Sequence, residues 1–188
     1  FKSSEFIKVL VNTLIINGTK ILFLFPIPII CAILLNEIRN KAFRKLSQTA
    51  IYVPYFFSWV VVFGIFYSLF GSYGVVNNVI AALGHARIKF FTDTGIFRWL
   101  LVFTEGWKEI GYNTVIYLAA ITGIDIALYE AASVDGANKW KQIWHVTMPG
   151  LLPTIVLMFI LKVGYILDTG FEQVLVFYNP AVYDVADI

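Results

Sequence analysis

Four apolar runs constrain this chain more than any other feature. They extend from about Thr13 to Leu35, Ile51 to Phe70, Gly95 to Ile121 and Leu151 to Leu167. A helix needs about 20 residues to cross a hydrocarbon core of roughly 30 Å. Runs of that length, separated by polar connections, predict transmembrane helices. Composition agrees. Of 188 residues 59% are hydrophobic and only 14% are charged, against about 25% charged in soluble domains. The chain therefore reads as an all-α, polytopic membrane protein. A net charge of +2 and no long basic run give no reason to expect nucleic acid as a partner.

The runs differ in what interrupts them. The first contains Lys20, expected to snorkel or to face a pathway, and Pro26 and Pro28, which remove backbone donors and bend the helix. A weakly amphipathic segment, residues 1–11, precedes it and suggests an interfacial helix. The second run carries Pro54 and interfacial aromatics such as Trp59 and Tyr67. A short apolar piece after it, Val75 to Leu83, is too brief to span and is expected along the outer surface.

The third run is broken by polar residues from Thr104 to Thr114, including Glu105, Trp107, Lys108, Glu109, Tyr112 and Asn113. Two readings compete. Residues 105–109 form a short outer loop, or the helix is continuous and its polar stretch lines a route. Ionisable groups at membrane depth face a bundle interior or a water-filled cavity. The length of the segment favours the second reading. Lys162, within the fourth run, snorkels, lines the route or pairs with an acid of the third run.

The connections give an orientation. Asn36 to Thr49 holds Arg39, Lys41, Arg44 and Lys45 against Glu37, which places it in the cytoplasm by the positive-inside rule. Lys139 and Lys141 fall in the second inner connection. Lys2, Lys8, Arg87 and Lys89 fall outside, as does the tail from Asp168. The chain begins without Met and stops after Asp187-Ile188, and is expected to be a fragment.

The interval between the third and fourth runs, about residues 125–149, is neither apolar enough for lipid nor a plain loop. Asp125 is suited to cap a helix from Ile126 to Ala132, and Asn138 a second one through Trp144. Asp135-Gly136 is a stop or turn between them, and Pro149 and Pro153 are expected to punctuate the entry into the next run. Glu130-Ala131-Ala132, then Gly136 after three residues, then Val146-Thr147-Met148-Pro149, resembles the EAA loop of bacterial ABC importer permeases. Asp135-Gly136-Ala137 matches the DGA common in that family. Val146 and Met148 replace the usual Ile and Leu conservatively. Asn12-Thr13, Gly74, Asn77 and Tyr178-Asn179-Pro180 extend the resemblance over nearly the whole chain. It is similar to sugar-uptake permeases of the maltose and oligosaccharide type.

That resemblance implies one domain over residues 1–188, part of a type I ABC importer transmembrane fold, with about four helices of an expected six. It implies a multi-pass protein of the bacterial cell membrane that is not itself an enzyme. No cofactor is expected in the chain, ATP and Mg being bound by a separate ATPase. The other implied partners are a second permease subunit, an extracytoplasmic solute-binding protein and the lipid bilayer. Glu130, Ala131, Ala132, Asp135, Gly136, Ala137 and Pro149 would couple the chain to the ATPase. Glu105, Trp107, Tyr112, Asn113 and Lys162 are the candidate pathway residues. The cargo expected is a sugar or oligosaccharide, with another solute of the same importer class as the alternative. Neither His85 nor His145 has metal-ligand spacing, and no phosphate-binding loop or catalytic constellation is present in the sequence.

Overall fold

The computed structural model describes residues 4–167 and 170–186. Lys2, Asp168, Asp187 and Ile188 lie outside the described residues. Those described form helices and no β-strand. In order they are α1 (Ser4–Leu24), α2 (Pro26–Glu37), α3 (Lys41–Tyr52), α4 (Trp59–Phe70), α5 (Val75–Ala82), α6 (Thr94–Thr122), α7 (Ile126–Val134), α8 (Lys139–Gln142), α9 (Met148–Gly164), α10 (Phe171–Phe177) and α11 (Tyr183–Ala186). A 3-10 turn, Val53–Phe56, follows α3, and a π turn, Ile143–Thr147, joins α8 to α9. By length and composition Glu5–Glu37, Trp59–Ala82 and Lys139–Gly164 can each cross a membrane. α6 and α7, meeting at a bend of 68°, make a fourth span if counted together.

Several boundaries differ from the sequence reading, each for a local reason. α1 starts at Ser4 and is continuous, so residues 4–11 are the first turns of the span and not a separate interfacial helix. Pro26 takes the first position of α2, where its missing N–H is one that a helix start leaves unpaired anyway. The connection after α2 is mostly helical, with Asn40 capping α3 by accepting from the Phe43 N–H at 3.1 Å. The second span does not run unbroken from Ile51. α3 gives way to the 3-10 turn at Pro54, and α4 begins only after Ser58, whose hydroxyl accepts from Val61 N–H. The piece from Val75 is its own helix, yet Trp59–Ala82 as a whole has the length and apolarity of a span. Nor do the two prolines after the loop punctuate. Helix continues through both, with Pro153 inside α9. The π turn bonds Met148 N–H back to the Ile143 carbonyl, five residues earlier. Such a widened turn is one way a helix accommodates a ring that cannot donate.

The described residues divide into two compact units. The first takes the described residues within Phe1–Leu24, Phe56–Lys108 and Tyr165–Ile188, the second Phe25–Tyr55 and Glu109–Gly164. The core of the first is aromatic: Trp59, Phe66, Phe91, Phe97 and Phe177 are buried with Ile16, Val62 and Leu101. Phe63 packs edge-on against Phe177 and Phe91 at centroid distances of 5.1 and 5.7 Å, a favoured ring geometry. Three asparagines tie this unit together. Asn77, fully buried, donates to the carbonyls of Gly71 and Ile88 and accepts from the Ile88 N–H. Asn12 donates to the Asp184 carbonyl and accepts from Arg98. Asn179 donates to the Phe91 carbonyl. All three belong to the positions through which the family resemblance extends.

The second unit is aliphatic at its centre, with Ile29, Ala32, Leu35, Tyr117, Leu118, Ile121 and Leu151 buried together. Here Gly111 of α6 meets the end of α3. A Cβ at Gly111 would overlap the Ile51 carbonyl oxygen, so only glycine permits this approach.

Candidate coupling loop and the polar stretch of the long helix

The loop at residues 125–149 is built from local rules. Asp125 Oδ1 accepts the Ala127 N–H at 2.9 Å and starts α7. Gly136 ends it with φ +75°. The Ala137 N–H reaches the Ala132 carbonyl at 2.9 Å and the Gly136 N–H the Ser133 carbonyl at 3.1 Å. This is a Schellman closure, which needs a left-handed residue at Gly136's position. Asn138 Oδ1 then accepts the Lys141 N–H at 3.0 Å and opens α8.

Two further ties fix the pair of helices to each other. Gln142 is buried, and its amide donates to Ser133 Oγ and the Ala137 carbonyl. The Tyr129 hydroxyl and Thr147 Oγ1 lie 2.9 Å apart. Lys139 reaches Glu37 at 3.4 Å, which brings the loop to the same end as the basic connection after α2. The topology expected from charge required that meeting. Outward, the loop is open: Glu130, Ala131, Asp135, Gly136 and Pro149 are exposed, with Ala132 and Ala137 partly so. Ile126, Leu128 and Val134 are 71, 54 and 88% exposed. The candidate coupling residues thus share one solvent-facing element with apolar side chains that no described residue covers.

The polar stretch of α6 is helical throughout, which removes the outer-loop reading of residues 105–109. The side chains of Thr104, Asn113 and Thr114 bond carbonyls of their own helix, at Leu101, Glu109 and Ile110. Glu105 lies deep in the first unit, 2% exposed, with the Lys20 ammonium 2.5 Å from its Oε2. Lys20 is completely buried and also donates to Gln173 Oε1 at 2.6 Å. It therefore does not snorkel. Gln173 in turn donates to the Leu101 carbonyl and Thr104 Oγ1. Trp107 is half-buried among Phe57 and Phe66. Lys108 sits 5.4 Å from the Trp59 ring centre, a cation–π contact.

In the second unit Tyr112 is 46% exposed and stacks on Tyr55, with centroids 4.4 Å apart and planes 10° from parallel. Asn113, next along α6, is half-buried, as is Lys162 in the last turn of α9. The sequence reading missed Tyr55, Gln142, Ser133, Tyr129, Thr147 and Gln173. The Pro54 break beside Tyr55, and polar residues within otherwise apolar or helical stretches, were the available signals.

Relatives share this architecture. Over its full length the chain is 41% identical to Protein LplB of Bacillus subtilis. It is 42% identical to the polygalacturonan/rhamnogalacturonan transport system permease protein YteP of the same organism. It spans 59% of the length of each. An arabinooligosaccharides transport system permease protein, AraP of Bacillus subtilis, is 34% identical over 77% of this chain and 47% of its own. A crystal structure of a bacterial ABC transporter involved in the import of the acidic polysaccharide alginate superposes with a TM-score of 0.95 at 41% identity. That match covers all of this chain and 66% of the other. The sequence profile of one family matches residues 25–185, from the start of α2 through the loop to α11. With the capped helix pair and the membrane-length helices in place, the chain belongs to the family of binding-protein-dependent transport system inner membrane components.

Proposed function

We propose that this chain is part of a permease subunit in an ATP-driven importer of a saccharide. The observation that carries the reading is the loop: two short helices, capped, closed and cross-bonded by Gln142 and Tyr129, that display an exposed acid and exposed small residues. Such a joint transmits rigid-body motion, because it has little freedom to absorb it. A separate ATPase, binding ATP and Mg, would take the loop in a groove. Its closure would move α7 and α8, and through α9 and α6 the membrane helices, between inward-open and outward-open states. Ala131 and Ala132 allow close approach, and Glu130 supplies a charge for the partner to read.

The names of the relatives support a saccharide cargo, since those described above include permeases for arabinooligosaccharides and polygalacturonan. So does the chemistry of the exposed part of α6. The broken stretch at Val53–Ser58 presents Tyr55 against Tyr112. Stacked tyrosines with Asn113 beside them would offer a sugar ring an apolar face and hydrogen-bonding groups. Lys162 would belong to the same route, while Glu105, enclosed with Lys20, and Trp107 would serve it from the first unit without touching cargo. An extracytoplasmic binding protein would deliver the saccharide, and a second permease would complete the passage. Co-purification tests the class. The full-length protein should bring down an ATP-hydrolysing subunit and a second permease, and Glu130→Lys should weaken the first association while sparing the second. A full-length protein that purifies alone and transports without ATP overturns the proposal.

A further inference from the structure

Within the second unit, the end that carries the loop holds a groove lined by none of the residues assigned above to coupling or to the route. Ile30, Ile33 and Leu34 of α2 form one wall, and Trp140, Ile143 and Trp144 the other; the space is about 520 Å³. The polar groups at it are those of Glu37 and Lys139, where the groove meets the helix ends. Both walls belong to stretches long and apolar enough to cross a membrane, Glu5–Glu37 and Lys139–Gly164. The groove therefore runs from hydrocarbon depth to the interface. Water or sugar inside it would find no hydrogen-bond partner. Trp140 and Trp144, 72 and 63% exposed, belong at headgroup level, where indoles concentrate.

The mouth is basic. Lys139 lies at it, and its contact with Glu37 is long and solvent-exposed, leaving the ammonium able to meet a second anion. Lys141 follows Trp140, and Arg39, Lys41, Arg44 and Lys45 follow Glu37, the one acid in residues 36–49. α3, which carries three of these cations, has no buried residue and exposes Phe43 and Leu46. A basic amphipathic helix of that kind lies in the plane of an anionic interface. Basic pockets between helices on the cytoplasmic side suit anionic lipid headgroups.

We propose that the groove is a binding site for an anionic phospholipid of the cytoplasmic leaflet. One acyl chain lies between α2 and the α8–π turn, and the phosphate sits at Lys139, on the side of the cations of residues 39–45. The lipid braces the loop's second helix against α2. The proposal rests on the orientation read from charge and is independent of the cargo.

The test uses the full-length protein with the subunits that purify with it, in nanodiscs of equal phosphatidylglycerol and phosphatidylcholine. Native mass spectrometry after mild detergent extraction should show phosphatidylglycerol retained in preference to phosphatidylcholine. Lys139→Gln should reduce that preference roughly fivefold, the worth of one basic residue near a charged surface. Ile33→Trp, which fills the groove, should abolish retention. A photoreactive residue in place of Ile33 checks the site without emptying or filling it, and the adduct should be a glycerophospholipid. Equal retention of the two lipids, undiminished retention in Ile33→Trp, an adduct with a polypeptide, or no adduct each overturns the proposal.

Discussion

Replacing Gly136 tests whether the loop's rigidity depends on one backbone angle. A Cβ at Gly136 would meet nothing within 4 Å, so substitution adds no clash within the chain. The cost comes from φ +75° alone. An L-residue in the left-handed region costs roughly 1–2 kcal/mol, and a β-branched one falls toward the upper part of the range of about 1–3 kcal/mol for strained backbone. Asparagine tolerates this region. The expected order of disturbance is therefore Asn, then Ala, then Val. One to two kcal/mol corresponds to about 5–30-fold in a two-state equilibrium. Hydrogen exchange at the Gly136 and Ala137 amides, which close α7 on Ser133 and Ala132, should accelerate by that factor in Gly136→Val and much less in Gly136→Asn. Equal exchange in the two variants, or no acceleration in Gly136→Val, would refute the conformational argument. If exchange accelerates while coupling stays at the wild-type level, the loop opens without consequence and its stiffness is not what matters.

Three other outcomes follow from contacts elsewhere. Lys20→Met strands the buried Glu105 carboxylate and should lower stability by about 3–5 kcal/mol, whereas Lys20→Met with Glu105→Gln should recover much of it. Thermal unfolding of the wild type and the two variants measures this, and a double variant no better than the single one contradicts it. Gly111→Ala should destabilise by about 1–3 kcal/mol through the Ile51 carbonyl, while Gly18→Ala, with nothing within 4 Å, should be neutral or stabilising in the same unfolding assay. The Lys8 ammonium, 2.6 Å from Asp184, holds that carboxyl below its usual 3.8. The support this pair gives to the α11–α1 attachment is then fully present above about pH 4 and lost as pH falls through the lowered value; Lys8→Met should remove that pH dependence, read by hydrogen exchange of α11.

The parts legible in the sequence are those decided within a few residues. Asp125, Asn138 and Gly136 announce two caps and a turn because capping and left-handed backbone involve neighbours in the chain, and the structure places all three as read. Membrane-length helices were legible from apolarity over some 20 residues. The partner of Glu105 was not. Candidates at helical spacing, such as Lys108, sat on the same helix, while the cation that pairs with it is Lys20 of α1. Gln173 joins that cluster from α10, and its partners lie far from it along the chain. The prolines misled in a different way. Their effect depends on whether the backbone around them can relax, and the π turn before Pro149 lets the helix run on.

Conversion of ATP hydrolysis into movement of a saccharide through the exposed loop, as proposed, can be measured. ATP-dependent uptake tests it most directly, using the full-length protein with its co-purified subunits and binding protein in sealed vesicles with labelled arabino- or galacturono-oligosaccharide. The account predicts accumulation with ATP and Mg, and Glu130→Lys should lose uptake through weakened ATPase attachment or through hydrolysis that no longer drives it. Uptake unchanged in Glu130→Lys and Gly136→Val, or accumulation without ATP, would contradict it.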